Sequence, residues 1–429
     1  MAAKRLVWSA LIAVVALGAG GLGGGFLRQR FDSGAHASDA TGLEANAATS
    51  VTVLDSGIEP GEYFRNVQEA LTSNYQKEIS DLSQLSHGAL DAMLQRLSDP
   101  GSRFYPPESW SAYKSSLQGE AHGIGADLVI EPAKMNMPNV FALKVYGVTP
   151  DGNGSKAGLM PDDEIAAVGE KWLIAPPLVR GWQADQAEYA SKKITIQELQ
   201  KRFDVFRKRL NSGITLTEAA NLLSTSGEGT TKLTVSRNGK LVELNCSKNS
   251  SAHSLVESVG ETVAIRGFGA GVADALDKAI EGKTELTLDL RGNPGGDLKD
   301  VESCLSLLIP AGVYAKTQKE PKAPLTDLKI STGSDKSIRV TLLVDKGTSR
   351  EAELFVSALR DRIGAKVVGG PTRGYGVGLS RISLSDGSGY TISTSRFFDI
   401  KGKSLVIEAD TKTAMLPNDW FAGEEGVEA

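Results

Sequence analysis

The stretch Leu286-Thr287-Leu288-Asp289-Leu290-Arg291-Gly292-Asn293-Pro294-Gly295-Gly296 decides the fold. Its first five residues form a continuous apolar run broken only by Thr287 and Asp289, the pattern of a strand buried on both faces. Asn293-Pro294-Gly295-Gly296 is a turn signal. Residues Asp297 to Leu308 then read as a helix. The same alternation extends outward. Val263-Ala264-Ile265 reads as a strand and Val272 to Ile280 as a helix. Val340 to Val344 is a strand, Glu351 to Ile363 a helix and Val367-Val368 a strand. Strand and helix alternating in this way predict an α/β domain, placed over residues 249–415 ahead of an acidic tail at 416–429.

Upstream the texture differs. Residues 59–118 read as helical, with Phe64, Val67 and Leu71, then Leu82, Leu85, Leu90, Met93, Leu94 and Leu97, at helical spacing. Asp99-Pro100-Gly101 stops them. Over 119–248 the signals are short strands and turns: Leu128-Val129-Ile130, Val140 to Leu143, and a hairpin turn at Asn238-Gly239. A helical insertion at 174–212 interrupts this part. Ile196, Leu199, Phe203, Phe206 and Leu210 make one apolar stripe, and Lys201, Arg202, Arg207, Lys208 and Arg209 make the opposite face. That face reads as solvated; contact with an anionic membrane or an acidic partner is the alternative.

Composition narrows the classes. The 429 residues suggest two or three domains. With 41% hydrophobic residues and a net charge of -5, the chain is apolar enough to fold, and nucleic acid is not an expected partner. Two cysteines, Cys246 and Cys304, and four histidines provide neither a disulfide scaffold nor a cysteine-rich zinc site, so no metal or cofactor is expected. Residues 1–30 contain Lys4 and Arg5 before an apolar, glycine-rich run from Leu6 to Leu27. They read as a signal anchor or a cleaved signal peptide, and residues 31–58 as a linker. Both readings put the rest of the chain outside the cytoplasm, in the periplasm or its equivalent, with the anchor reading fixing it to the inner membrane.

Five segments, in order, resemble the carboxyl-terminal processing or tail-specific serine peptidases. They are Leu97 to Phe104, Gly123-Ile124-Gly125, Lys156 to Ile165, Leu288 to Gly296 and Leu384 to Ser388. The resemblance implies a crotonase-like α/β peptidase core with an inserted PDZ domain and an N-terminal helical region. It also implies a serine nucleophile at a helix start, a lysine base and a glutamine that orients the lysine. Gly123, Ile124 and Gly125 would present amides to a peptide carboxylate, and Gly295 and Gly296 would belong to the oxyanion region.

The reacting side chains are replaced. Anchored on Gly347 and Glu353, the nucleophile position falls at Arg350; the lysine position falls at Tyr375 and the glutamine position at Leu379. Arginine is always protonated and tyrosine is a weak base at neutral pH. Ser349 is the fallback nucleophile, but it lies one position, about 100°, around the helix. Thr348 and Glu351 read as a capping box. Arg350 and Tyr375 are expected to meet, with Glu351 or Glu353 pairing the arginine. The resulting expectation is a pseudopeptidase that binds polypeptide C-termini, an envelope protein or an active peptidase homologue, and a homodimer is allowed. An active endopeptidase with a displaced nucleophile and a pure PDZ adaptor are the competing readings.

Overall fold

The computed structural model describes residues 59–79, 81–133, 140–249, 251–252, 254–335 and 337–406. The expected signal segment, the linker and the acidic tail lie outside the described residues. The chain forms two units, residues 1–83 and 84–429. In the first, helix α1 (Pro60–Asn74) starts at Pro60, where no N–H is needed. The Glu59 carboxylate accepts the N–H groups of Gly61 and Glu62 and so caps it.

The second unit begins within α2 (Leu82–Arg96). The region expected to be helical then yields a strand, β1 (Arg103–Tyr105), before α3 (Pro107–Ser116). Asp99-Pro100-Gly101 ends the helical pattern as read, but three residues are too few to show strand alternation in sequence, and β1 exists because it pairs with a strand 286 residues further on (Phe104 against Tyr390).

An inserted domain follows. The chain enters through β2 (Glu120–Ala121) and continues as β3 (Ala126–Pro132), β4 (Phe141–Val148), α4 (Asn153–Lys156), β5 (Glu164–Val168), β6 (Lys171–Trp172), α5 (Pro176–Ala190), α6 (Ile196–Asn211), α7 (Leu216–Ser224), β7 (Thr230–Arg237) and β8 (Lys240–Ser247). It leaves through β9 (Ser251–Ala252), which pairs with β2 to make a two-stranded neck. The sheet order is β3-β4-β5-β7-β8, with β6 on β5, so β3 is an edge strand. The β7–β8 hairpin turns at Asn238 and Gly239, both with positive φ, as the dipeptide predicts. The insertion is a helix pair. Leu199 and Phe206 of the apolar stripe are buried, and Trp182 of α5 stacks on Phe206 at 5.3 Å. The basic face is partly neutralised: Arg202 pairs with Asp185, Glu188 and Glu198, and Arg209 lies over the Trp172 ring at 3.9 Å.

The remaining elements are β10 (Val256–Val259), β11 (Thr262–Ile265), α8 (Val272–Ile280), β12 (Glu285–Asp289), α9 (Leu298–Ser306), β13 (Gly312–Gln318), β14 (Thr326–Ile330), β15 (Arg339–Val344), α10 (Glu351–Ile363), β16 (Lys366–Gly369), β17 (Val377–Ser383) and β18 (Gly389–Phe398). β11, β12, β15 and β16 are parallel neighbours, with β10 antiparallel at one edge. A further antiparallel sheet, β1-β18-β13-β14 with β17 on β18, has no counterpart in the sequence reading. Two hydrophobic cores result. One lies within the inserted domain and contains Cys246; the other lies in the α/β domain, around Leu288, Leu342 and Phe355, and contains Cys304. Both cysteines are free, in separate cores.

Candidate functional site

The turn after β12 is held by side chains. Asn293, fully buried, donates its amide to Ile265 O at 2.8 Å and accepts Gly295 N–H at 2.9 Å. The Asp345 carboxylate accepts both Gly292 N–H and Gly347 N–H at 2.9 Å, which ties this turn to the one leaving β15. Gly296 N–H donates to Glu351 Oε2 at 3.2 Å. The amides of Gly295 and Gly296 therefore both have internal acceptors. A Cβ at Gly296 would overlap Phe268 O, so glycine is required there.

Between β15 and α10 the backbone turns sharply at Arg350, with φ 55 and ψ −122. Such a conformation is costly for a residue with a side chain, about 1–3 kcal/mol, and is concentrated at functional positions. Arg350 is the N-cap of α10. The sequence expectation of Thr348 as N-cap with Glu351 as its partner is thus corrected. Thr348 Oγ1 instead donates to Leu290 O, 2.8 Å away, and accepts Asp345 N–H. The capping carboxylate is Glu353, whose Oε2 accepts Arg350 N–H at 3.1 Å. Glu353 also accepts from Thr372 Oγ1, Gly374 N and Tyr375 N, so it fixes the segment before β17.

Arg350 and Tyr375 do not converge through their side chains. Arg350 N–H reaches Tyr375 O at 3.2 Å, but the guanidinium turns toward the inserted domain. Its Nη2 pairs with Asp127 of β3 at 3.0 Å and its Nε donates to Pro294 O at 2.7 Å. The expected pairing with Glu351 or Glu353 is overturned: Glu353 is committed to four donors and Glu351 to Gly296. Burial alone would lower the guanidinium's pKa, but the Asp127 carboxylate raises it, so Arg350 is charged at every working pH. The Tyr375 hydroxyl donates to Asp99 and accepts Gly101 N–H at 2.8 Å. Burial and the Asp99 charge push its pKa up, away from that of a base. Leu379 sits at a register shift in β17 and approaches Gly101.

Ser349 is buried, and its Oγ has no hydrogen-bond partner among the described residues. The lysines nearest in sequence do not serve it: Lys346 pairs with Asp162 at 2.6 Å, and Lys366 is exposed at the start of β16.

The Gly123-Ile124-Gly125 loop is also closed. Ile124 N–H donates to Leu223 O of α7 at 2.9 Å and Gly125 N–H to His122 O at 3.3 Å. Arg103 bridges β3 and α7, with Nη1 on Leu128 O at 3.3 Å and Nη2 on Asn221 Oδ1 at 3.1 Å. A peptide adding to the β3 edge there competes with Arg103.

A cleft of about 200 Å³ lies between β3 and the Asn293–Gly296 turn, lined by Arg103, Arg266, Arg350, Arg381, Asp127 and Tyr113 among others. Arg381 donates Nε to Tyr113 Oη at 3.1 Å and Nη2 to Gly296 O at 2.8 Å. Asp127, Arg381 and Arg103 escaped the sequence reading. The three are far apart along the chain, and only the fold gathers them. The one local hint is that Arg381 follows Leu379 by two positions and so shares its strand face. Among the described residues no three His, Cys, Asp or Glu side chains are grouped to hold a metal, and no helix is long and apolar enough to cross a membrane.

Comparison with known proteins bears on this geometry. Residues 261–413 match the sequence profile of peptidase family S41. A probable CtpA-like serine protease of Staphylococcus aureus (strain N315) is 27% identical over 334 residues, 76% of this chain and 58% of that protein. Its counterpart in Staphylococcus haemolyticus is 25% identical over 394 residues, 87% of this chain and 70% of the relative. The chain thus spans a little under three fifths of the first relative's length. The photosystem II D1 C-terminal processing protease has a similar fold, with a TM-score of 0.54 at 18% identity, covering 80% of this chain and 84% of that one. Residues 261–413 are thus similar to peptidase family S41, and the chain has a mixed α/β fold similar to that of a C-terminal processing protease.

Proposed function

We propose that this chain is an extracytoplasmic pseudopeptidase that binds polypeptide C-termini, or a partner in the cell envelope, without hydrolysing them. Its α/β domain is a peptidase core and residues 119–248 are a PDZ-like insert. The carrying observation is Arg350 at the strained start of α10, where the S41-like motif calls for a nucleophile. A guanidinium there cannot attack a carbonyl. The neighbouring groups support the same reading. Tyr375 is turned to Asp99, Leu379 has no polar atom to offer, and Ser349 is buried without a base. The Glu351 carboxyl occupies the Gly296 amide that an oxyanion would need. Location outside the cytoplasm rests on the charged and apolar N-terminal sequence. Pairing with an active peptidase homologue, or with a second copy, belongs to the same proposal.

The test is hydrolysis of unfolded casein by the full chain and by Ser349→Ala, followed by gel electrophoresis. Neither is expected to cleave it. Cleavage by the native chain that is lost in Ser349→Ala would overturn the reading. The reverse experiment introduces Arg350→Ser, Tyr375→Lys and Leu379→Gln together; proteolysis gained in the triple variant identifies the replaced positions as the catalytic ones.

A further inference from the structure

We propose that the cleft beside Arg350 receives the terminal carboxylate of a polypeptide, held between Arg350 and Arg381. This rests on the tail-binding reading and moves the capture point away from the glycine loop of the insert. Two of that loop's amides are already spent on Leu223 O and His122 O.

The cleft has the charge for the task. Four arginines line it, against the carboxylates of Asp127 and Glu120, with Arg266 paired to Asp289 and the buried Glu351 carboxyl close to both Arg350 and Arg381. Each of the two central arginines uses only part of its donor fork. Arg350 spends Nε on Pro294 and Nη2 on Asp127; Arg381 spends Nε on Tyr113 and Nη2 on Gly296. Their Nη1 groups have no hydrogen-bond partner among the described residues. Both guanidinium planes are thereby fixed before a ligand arrives, which lowers the ordering cost of binding. A carboxylate accepts two such N–H groups in charge-assisted bonds.

Size and surroundings favour a chain end over a bare anion. The cleft holds about 200 Å³, below the roughly 300–1,000 Å³ of drug-sized sites, so it admits about one residue. Phe268, Leu255 and Tyr105 give it apolar wall for a side chain. Ala126, Asp127 and Leu128, on the sheet's edge strand, lie along it and offer a track for the residues that precede the terminus, which take Leu128 O from Arg103 as they add.

The probe is a pool of N-acetylated pentapeptides with the last two positions randomised, prepared as free acids and as amides. Binding to the full chain is read by saturation-transfer NMR and calorimetry. Free acids are expected to bind at least tenfold tighter than amides. Arg381→Gln is expected to abolish that preference, acids and amides then binding alike, and Arg381→Lys, which keeps the charge but loses the fork, to lose most of it. Equal binding of acids and amides by the native chain would overturn the carboxylate site and leave tail binding standing. Binding of neither pool would overturn both. A preference that survives Arg381→Gln would return the capture point to the glycine loop. Displacement of the acids by an equal concentration of inorganic phosphate would assign a small-anion site instead. Should Arg381→Gln fail to fold, the arginine side-chain NMR signals of the native protein decide: shifts at Arg350 and Arg381 on adding acids support the site, and unchanged signals overturn it.

Discussion

Two glycine turns of this chain present backbone amides toward negative atoms, one at Gly123–Gly125 and one at Asn293–Gly296, and the two are closed by different kinds of acceptor. At the first, Ile124 N–H meets a main-chain carbonyl, Leu223 O. At the second, Gly296 N–H meets a side-chain carboxyl, that of Glu351. A carbonyl of α7 leaves only if the helix moves, and it does not titrate. A carboxyl can be substituted, protonated or rotated away. The first turn is therefore closed by the fold, and the second by side chains, with Glu351 the replaceable one on the Gly296 amide. Arg350 joins them, reaching Pro294 O in the second and Asp127, two residues past Gly125, beside the first.

The largest effect expected from this comparison is at the fold-closed turn. Gly123 has φ +62, and a Cβ there would overlap Leu223 O. Gly123→Ala should cost more than about 3 kcal/mol in urea unfolding, from the left-handed backbone and the collision together. Gly125→Ala isolates the first cause. Its φ is +65, but its nearest neighbour would be an ordinary 3.7 Å away, so about 1–2 kcal/mol is expected. Equal costs would show that α7 yields, and the turn would not be fixed by the fold.

Next is the tie between the turns. Arg350→Ala leaves Asp127 facing the cleft without its partner. Because the Asp127 side chain retains 24% exposure, the loss should fall below the 3–5 kcal/mol of a fully buried pair, at about 2 kcal/mol. A double-mutant cycle with Asp127→Ala should return a coupling of about 1–2 kcal/mol. A coupling near zero would mean that Arg350 acts through Pro294 alone and the turns are independent.

The replaceable closure should show itself in pH. Burial raises the Glu351 pKa, against the opposing charges of Arg350 and Arg381. The folded state then holds this proton more tightly than the unfolded chain does. Its contribution to stability is present below the unfolded value near 4.3 and is lost as pH rises through the folded one. Glu351→Gln removes that term, so the variant should gain on the native protein in unfolding free energy as pH rises from about 4 to 8. Parallel curves for the two proteins would place the titration elsewhere.

What the sequence disclosed divides along the same line. The parallel strands of the α/β domain, the α6 stripe and the Asn238–Gly239 turn rest on local patterns, and they are found where those patterns lie. The motif spacing singled out Arg350, Tyr375 and Leu379. Their partners were not legible. Asp127 lies 223 positions from Arg350, and Asp99 lies 276 from Tyr375. No periodicity encodes a contact at such a distance. The sheet of β13, β14, β17 and β18 was missed for a related reason. β14 is mostly exposed, and β17 is interrupted by Gly378 and a register shift, so neither alternates cleanly.

The smallest effect tests whether the seat of the inserted domain depends on Arg350 alone. Asp162, in the turn before β5, receives Lys346 at 2.6 Å and Arg373 at 2.8 Å, one from the segment before α10 and one from the segment before β17. Arg373 also lies over the Tyr146 ring, 4.1 Å from its centre. Burial would raise the Asp162 pKa, but the hydrogen bonds from Lys346 and Arg373 bring it below the ordinary value. The pairing therefore stabilises the fold above about pH 4 and is lost as pH falls through the folded value. Asp162 is 47% exposed and solvent screens the interaction, so Asp162→Ala should cost only about 0.5–1 kcal/mol at neutral pH, less in high salt, and nothing in acid. The informative arm is Asp162→Ala combined with Arg350→Ala. If the two contacts hold the same face independently, their costs add within about 0.5 kcal/mol. A combined loss well beyond the sum would mean that either contact alone keeps the inserted domain seated, and that the closure of both glycine turns is shared across that whole face.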